Sequence, residues 1–367
     1  MKQIIILCAL LMSICKVHAQ GCVAVRSGGA MCTMDHADTA NQSGWQLNTG
    51  YRYFHSFRHF VGKEEQKDRV EKGTDVRNWQ HAVDITLIRH FNNRWSLYAN
   101  LPVISNRRSS MYEHYGNNST SSNARNETRS FGIGDLRIAV QHWIFNPETS
   151  KKGNVQIGAG LKLPTGDYRY TDFFHKPGAG GKDSVVLGPV DQSIQLGDGG
   201  TGFTFEMNGY YNFSKHIGVY GNFFYLLNPR EHNGVSTARG GATAATALAY
   251  GSSVMSVPDQ YMLRGGVNAS IGRLTISAGA RMECVPAKDL IGGSSGFRRP
   301  GYIMGVEPGI NYQVRRMNLF ATVPVWTVRN RTQSVPDKVR TQLTGVYAHG
   351  DAALSDYTIN IGWSVRF

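Results

Sequence analysis

Residues 130–167 read SFGIGDLRIAVQHWIFNPETSKKGNVQIGAGLKLPTGD, and their pattern decides the class of fold. In the second half Val155, Ile157, Ala159, Leu161 and Leu163 alternate with Gln156, Gly158, Gly160 and Lys162, a period of two that only an extended strand turns into two faces. In the first half Leu136, Ile138, Val140 and Ile144 alternate with Arg137, Ala139 and Gln141, and the pattern weakens at His142 and Trp143. The polar turn NPETSKKG between the halves predicts an antiparallel pair. One apolar face backed by Arg, Gln and Lys suits either a half-buried sheet in water or the wall of a barrel in lipid, so the rest of the chain must choose.

The same alternation recurs on both sides of this hairpin. Towards the N-terminus, Trp45 to Tyr53 alternate with Gln46 to Arg52, and further runs lie at Val83 to Leu87 and at Trp95 to Val103. Towards the C-terminus, runs start at Phe203, Ile217, Tyr261, Leu274, Met304, Leu319 and Tyr357, giving twelve predicted strands with the opening pair. Connections after even-numbered strands are short, as at Asn92-Asn93, Ser214-Lys215, Gly272-Arg273 and Arg315-Arg316. Those after odd-numbered strands are long, with the longest from about 166 to 201 and others from 228 to 256 and from 329 to 354. A transmembrane barrel with both termini in the periplasm has this asymmetry, with short periplasmic turns and long extracellular loops, whereas a soluble sandwich has no reason to produce it. Trp, Tyr or Phe at many outward strand ends fits an aromatic girdle, and polar residues or glycine on the other face fit a wet lumen.

The N-terminus carries Lys2, an apolar stretch from Ile4 to Ile14, and the small-residue pattern Val17-His18-Ala19 before Gln20. This predicts a cleaved secretory signal over residues 1–19, too short to span a bilayer. A lipid anchor on Cys15 is the rival, and bulky Ile14 before it is unfavourable. No later run approaches the roughly 18 apolar residues of a transmembrane helix, so an integral protein must be a closed barrel. Without Lys2 and Lys16 the chain keeps 37 basic against 26 acidic residues, a net charge of +11. That balance favours anionic partners such as lipopolysaccharide and acidic solutes, while export argues against nucleic acid. Forty-two glycines, 11% aromatics and 41% hydrophobic residues fit many short strands with polar loops. After cleavage Cys22 and Cys32 are expected to close a small disulfide loop and Cys284 to stay free. Residues 20–43 then form a periplasmic tail or plug, and residues 44–367 the barrel. Met31, Cys32, Met34 and His36 lie close together without a fixed ligand spacing, so no metal is expected.

With the strands placed, GIGDLRIAVQHW followed by LKLPTGDY resembles the signature hairpin of the outer-membrane family named for the meta pathway of phenol degradation. The resemblance, best from about 130 to 230, implies a small exported barrel acting as a channel for aromatic or other hydrophobic compounds, similar in outline to the long-chain fatty acid transporters. The chain also resembles outer-membrane proteins generally in ending on Tyr357, Trp363 and Phe367 in an alternating strand, the signal read by the barrel-assembly machinery.

Other motifs lack the context their chemistry needs. GDGGTG at 197–202 satisfies GxGxxG, yet an alternating run follows and not a helix, so it reads as a turn. GAGGKD at 178–183 lacks the spacing and the Ser or Thr of a P-loop. Some barrels of this size are enzymes, notably outer-membrane phospholipase A, whose Ser and His lie two apart on one strand; none of the twelve histidines here is followed two residues later by Ser. No enzyme activity and no cofactor are expected. The pore-lining candidates are Arg52, Arg137, Gln141, Lys162, Glu206, Arg264, Arg281, Glu283 and Glu307, which set selectivity, brace the wall by pairing, or do both. Tyr168, Arg169, Tyr170, Phe173, Phe174, His175 and Lys176 are either a capture site for an anionic aromatic solute or a surface loop. The expectation is an all-β, outer-membrane barrel that passes small hydrophobic or anionic aromatic compounds in either direction by diffusion. The alternative is a closed structural or partner-binding barrel.

Overall fold

The structure, a computed structural model, describes residues 43–367. The expected signal peptide, the segment preceding residue 43 and the Cys22–Cys32 disulfide lie outside the described residues.

The period of two produces one antiparallel sheet of fifteen strands. β1 (Gly44–Val61), with the two-residue β2 (Glu64–Glu65) folded back on its end, is followed by β3 (Arg77–His90), β4 (Trp95–Ser110), β5 (Asn126–Ile133), β6 (Leu136–Trp143) and β7 (Gly153–Leu163). A separate hairpin, β8 (Thr171–Pro177) and β9 (Asp183–Pro189), precedes β10 (Gly202–Asn212) and β11 (Ile217–Leu227). A second small hairpin, β12 (His232–Ser236) and β13 (Val254–Ser256), precedes β14 (Gln260–Ile271), β15 (Leu274–Val285), β16 (Gly301–Val314), β17 (Met317–Thr322), β18 (Val325–Arg331) and β19 (Ala352–Arg366). The last strand pairs with the first, Thr49 opposite Trp363, and closes the cylinder. Trp45 and Phe367 exchange both backbone hydrogen bonds, at 2.8 and 2.9 Å.

β5 and β6 both pair with β4 and make one interrupted stave; β17 and β18 likewise share the place between β16 and β19. The closed wall therefore has twelve staves. Each interruption faces a proline. Gly134 N donates to Pro102 O and Val323 N donates to Pro308 O, and neither proline has an N–H to return, so the ladder stops there. At the first break three residues oppose two on β4, a bulge that turns Asp135 inward.

Side chains alternate between an enclosed and an open face. Ile138, Val140, Leu161, Phe205, Met207, Leu263, Val267 and Val306 are exposed, part of an apolar belt that a soluble monomer does not tolerate. Trp45, Phe91, Trp95, Phe145, Tyr211, Phe213, Tyr312 and Phe367 are exposed at the end with the short turns. Among the described residues no helix is long and apolar enough to cross a membrane. The long connections are more structured than their composition implied. Besides the two hairpins they carry a helix at Val335–Thr344, opened by a capping box between Ser334 and Asp337.

Candidate functional site in the barrel interior

The eight charged candidates all lie buried on the enclosed face, and Gln141 is half-buried. Their register explains why they need one another. Arg137 stands directly opposite Lys162, and Arg264 opposite Arg281, like charges that repel unless anions intervene. Glu307 supplies one, accepting from Arg264 Nη1 at 3.1 Å and from Arg281 Nη1 at 3.0 Å, while Glu283 takes Arg281 Nε at 2.8 Å. Asp135 and Asp198 supply the others, both bound by Lys162 Nζ. On the stave next to β7, Glu206 of β10 accepts from Tyr98 of β4 and, at 3.3 Å, from Gln141 Nε2. Two staves separate β4 from β10, so the tyrosine bond crosses the interior.

Two guanidinium groups stand outside this pairing. Arg52 is 6% exposed, and its Nε and Nη2 have no hydrogen-bond partner among the described residues. Arg137 is 4% exposed; it donates to the neutral Asn100 Oδ1 at 2.8 Å and lies 5.5 Å from the centre of the Phe224 ring.

The stretch between β9 and β10 enters the barrel. Ile194 O accepts from Ser130 Oγ at 2.5 Å and from Asn106 Nδ2 at 3.1 Å, and Leu196 packs on Ala82 and Ile104, all on the enclosed face of β3 to β5. Its exit is clasped. The Asp135 carboxylate accepts from Gly166 N at 3.0 Å and Asp198 N at 3.3 Å, and Thr165 Oγ1 accepts from Leu136 N at 2.8 Å and donates to Gly134 O at 2.9 Å. The two motifs GIGD at 132–135 and LPTGD at 163–167 are thus halves of one clasp. A Cβ on Gly197 would come within 2.7 Å of the Gly166 backbone oxygen and 2.4 Å of Asp135 Oδ1, so this approach needs glycine.

Above this segment the long loops are locked by a buried charge cluster that alternation could not reveal. Glu113 accepts from Arg108 Nε at 2.8 Å and Arg239 Nε at 2.9 Å, and Asp191 takes both Arg299 Nη groups at 2.7 Å. Burial pushes the Glu113 carboxyl up, but Arg108 and Arg239 outweigh it and hold it at about 2. Burial of Asp191 is likewise outweighed, by Arg108 and Arg299, which keep it well below the usual range. Beside the cluster, burial pushes the His114 imidazole down to about 4. Its Nδ1 accepts from His175 N at 3.0 Å.

The seven loop candidates do not gather at one point. Tyr168 lies between Arg169 and Arg230, Tyr170 packs against Leu196, and Phe174 is buried against His114. Lys176 Nζ donates to Glu113 O at 2.6 Å, His175 pairs with Asp183, and Phe173 is exposed. Of the three assembly-signal residues, Tyr357 and Phe367 are exposed and Trp363 is half-buried. Cys284 is buried, with no disulfide partner among the described residues. Between the inward segment and the wall remains a cavity of about 100 Å³, bounded by Arg137, Phe224, Leu226, Met255 and Leu196 among others.

No protein-family model matches the chain, and no curated protein matches it. Among solved structures, an outer-membrane channel from Pseudomonas putida F1 superposes with a TM-score of 0.55 at 11% identity, over 89% of this chain and 96% of that one. This is the fold of an outer-membrane channel. The barrel is also similar to the translocator domain of the autotransporter NalP from Neisseria meningitidis (TM-score 0.46, 13% identity, 91% of each chain) and to the CymD monoaromatic hydrocarbon channel (0.43, 11%, 95% of each). For an outer-membrane barrel the apolar belt meets hydrocarbon, and the enclosed face is what a solute would meet.

Proposed function

We propose that this barrel is an outer-membrane channel through which small hydrophobic or anionic aromatic compounds diffuse, without an enzymatic step. The supporting observation is the enclosed belt of charge in which Arg52 and Arg137 have no carboxylate at ion-pair distance among the described residues, inside a wall that is apolar outside. Anions are drawn towards these guanidinium groups, and the apolar surfaces of Phe224 and Leu226 beside Arg137 accept an aromatic body. The remaining charges brace the wall. In this reading a cleaved signal sends the chain to the outer membrane, the barrel-assembly machinery inserts it, and lipopolysaccharide meets its basic outer loops. Residues 20–43 would form a tail or plug at the periplasmic end.

Single-channel recording of the reconstituted chain tests the reading. Anion-selective currents are expected, and Arg52→Gln with Arg137→Gln should move the reversal potential towards cation preference. A folded barrel that stays electrically silent and releases no trapped solute from liposomes would overturn the reading in favour of a closed, structural barrel.

A further inference from the structure

Four cations bound the interior cavity, and three of them are already answered. Arg298 is held by both oxygens of Asp289 at 2.7 and 2.6 Å, Arg299 by Asp191, and Lys162 by Asp135 and Asp198. Those last two carboxylates also border the cavity, yet each is engaged by Lys162, and Asp135 also by backbone N–H groups. Arg137 is the exception. Its hydrogen bond to Asn100 uses one guanidinium nitrogen, and the charge sits over the Phe224 ring with apolar Leu226, Met255 and Leu196 nearby.

From this arrangement we infer that the cavity is a binding subsite for a single-ring aromatic carboxylate, its carboxylate on Arg137 and its ring on Phe224. The inference rests on the channel reading above and sharpens it to one solute class. A carboxylate matches the planar fork of a guanidinium, and a ring face packs well on another ring. The size sets the limit. A dry engineered cavity of roughly 150 Å³ takes benzene, so about 100 Å³ admits one ring with slight displacement of the inward segment and has no room for two.

Titration calorimetry of the purified full barrel in detergent decides, with three probes: benzoate, its neutral isostere benzamide, and 2-naphthoate. Native protein should bind benzoate about tenfold or more tighter than benzamide, as expected for a hydrogen bond to a charged group, and should reject 2-naphthoate. Arg137→Gln should lose that factor for benzoate alone, and Arg137→Lys should recover part of it. Equal binding of benzoate and benzamide to native protein overturns the subsite even if the variants fail to fold. So does undiminished benzoate binding in Arg137→Gln, or 2-naphthoate binding as tightly as benzoate. Conductance of the same preparation separates the two readings. A conducting barrel indifferent to benzoate leaves the channel and removes the subsite, whereas a silent barrel that binds benzoate through Arg137 leaves the subsite and removes the channel.

Discussion

Lys162 shows how much a single residue carries. It lies opposite Arg137, and it holds Asp135 and Asp198 at the point where the inward segment leaves the wall. Lys162→Met would leave buried Asp135 facing half-buried Asp198 with no cation between them, and breaking a buried pair costs on the order of 3–5 kcal/mol. Reduced heat stability and larger or noisier single-channel currents are the expected outcome, measured by gel mobility after graded heating and by bilayer recording; native behaviour in both would mean that no clasp is held by this lysine. Acid should act on a second residue. Unfolded His114 takes its proton near pH 6.5, whereas in the fold burial keeps it neutral until about pH 4, so falling pH removes stability from this loop across that window. Glu113, held at about 2, adds a further loss only below about pH 4.5. Proteolysis of the 111–125 loop should therefore accelerate between pH 6.5 and 4, and His114→Gln should flatten the upper part of that rise. Arg137 and Lys162 were legible because period two puts both on the polar face. The carboxylates on Lys162 were not, since Asp135 falls in a break and Asp198 in a loop, though two opposed cations did demand anions nearby.

At the scale of elements, the staves were legible because each has one apolar and one polar side. The strongest check compares neighbours. Ile157 and Gln156 are adjacent on β7, one exposed and the other on the enclosed side. Ile157→Arg puts a charge on the lipid face, which costs up to about 2–4 kcal/mol, and should lower the fraction that folds into liposomes, while Gln156→Arg should fold as native; equal yields would mean the faces are assigned wrongly. What alternation could not convey were interruptions and returns. Pro102 and Pro308 sit inside strand patterns and mark the breaks in the neighbouring staves, because a proline cannot complete a ladder. The helix at Val335–Thr344 also left a local trace in Ser334, Pro336 and Asp337, a capping box with an early proline. The inward segment left none. Val190, Ile194 and Leu196 have no regular spacing, and they are buried only because the barrel encloses them.

At the scale of the whole molecule, closure joins β1 to β19 across almost the entire chain, and no local pattern encodes it; an even number of strands with alternating short and long connections implies it. The same alternation is the basis for the expected orientation of the barrel, which likeness of fold alone does not give. Every long connection leaves from one end, and the buried Arg108–Glu113–Asp191–Arg239–Arg299 cluster ties these connections together there. The other end has turns as tight as Ser214–Ile217 and holds residue 44 beside Phe367. If the tight end faces the periplasm, a cysteine at the exposed Tyr347 should react with a membrane-impermeant maleimide on intact cells, and one at the exposed Lys215 only after the outer membrane is opened. Buried Cys284 should stay silent in both, and a parent chain carrying Cys22→Ser and Cys32→Ser keeps the introduced thiols readable above background. Labelling in the reverse order would place both ends of the barrel domain outside the cell, and the expected path of solute from locked loops to charged belt would then run from the periplasm outward.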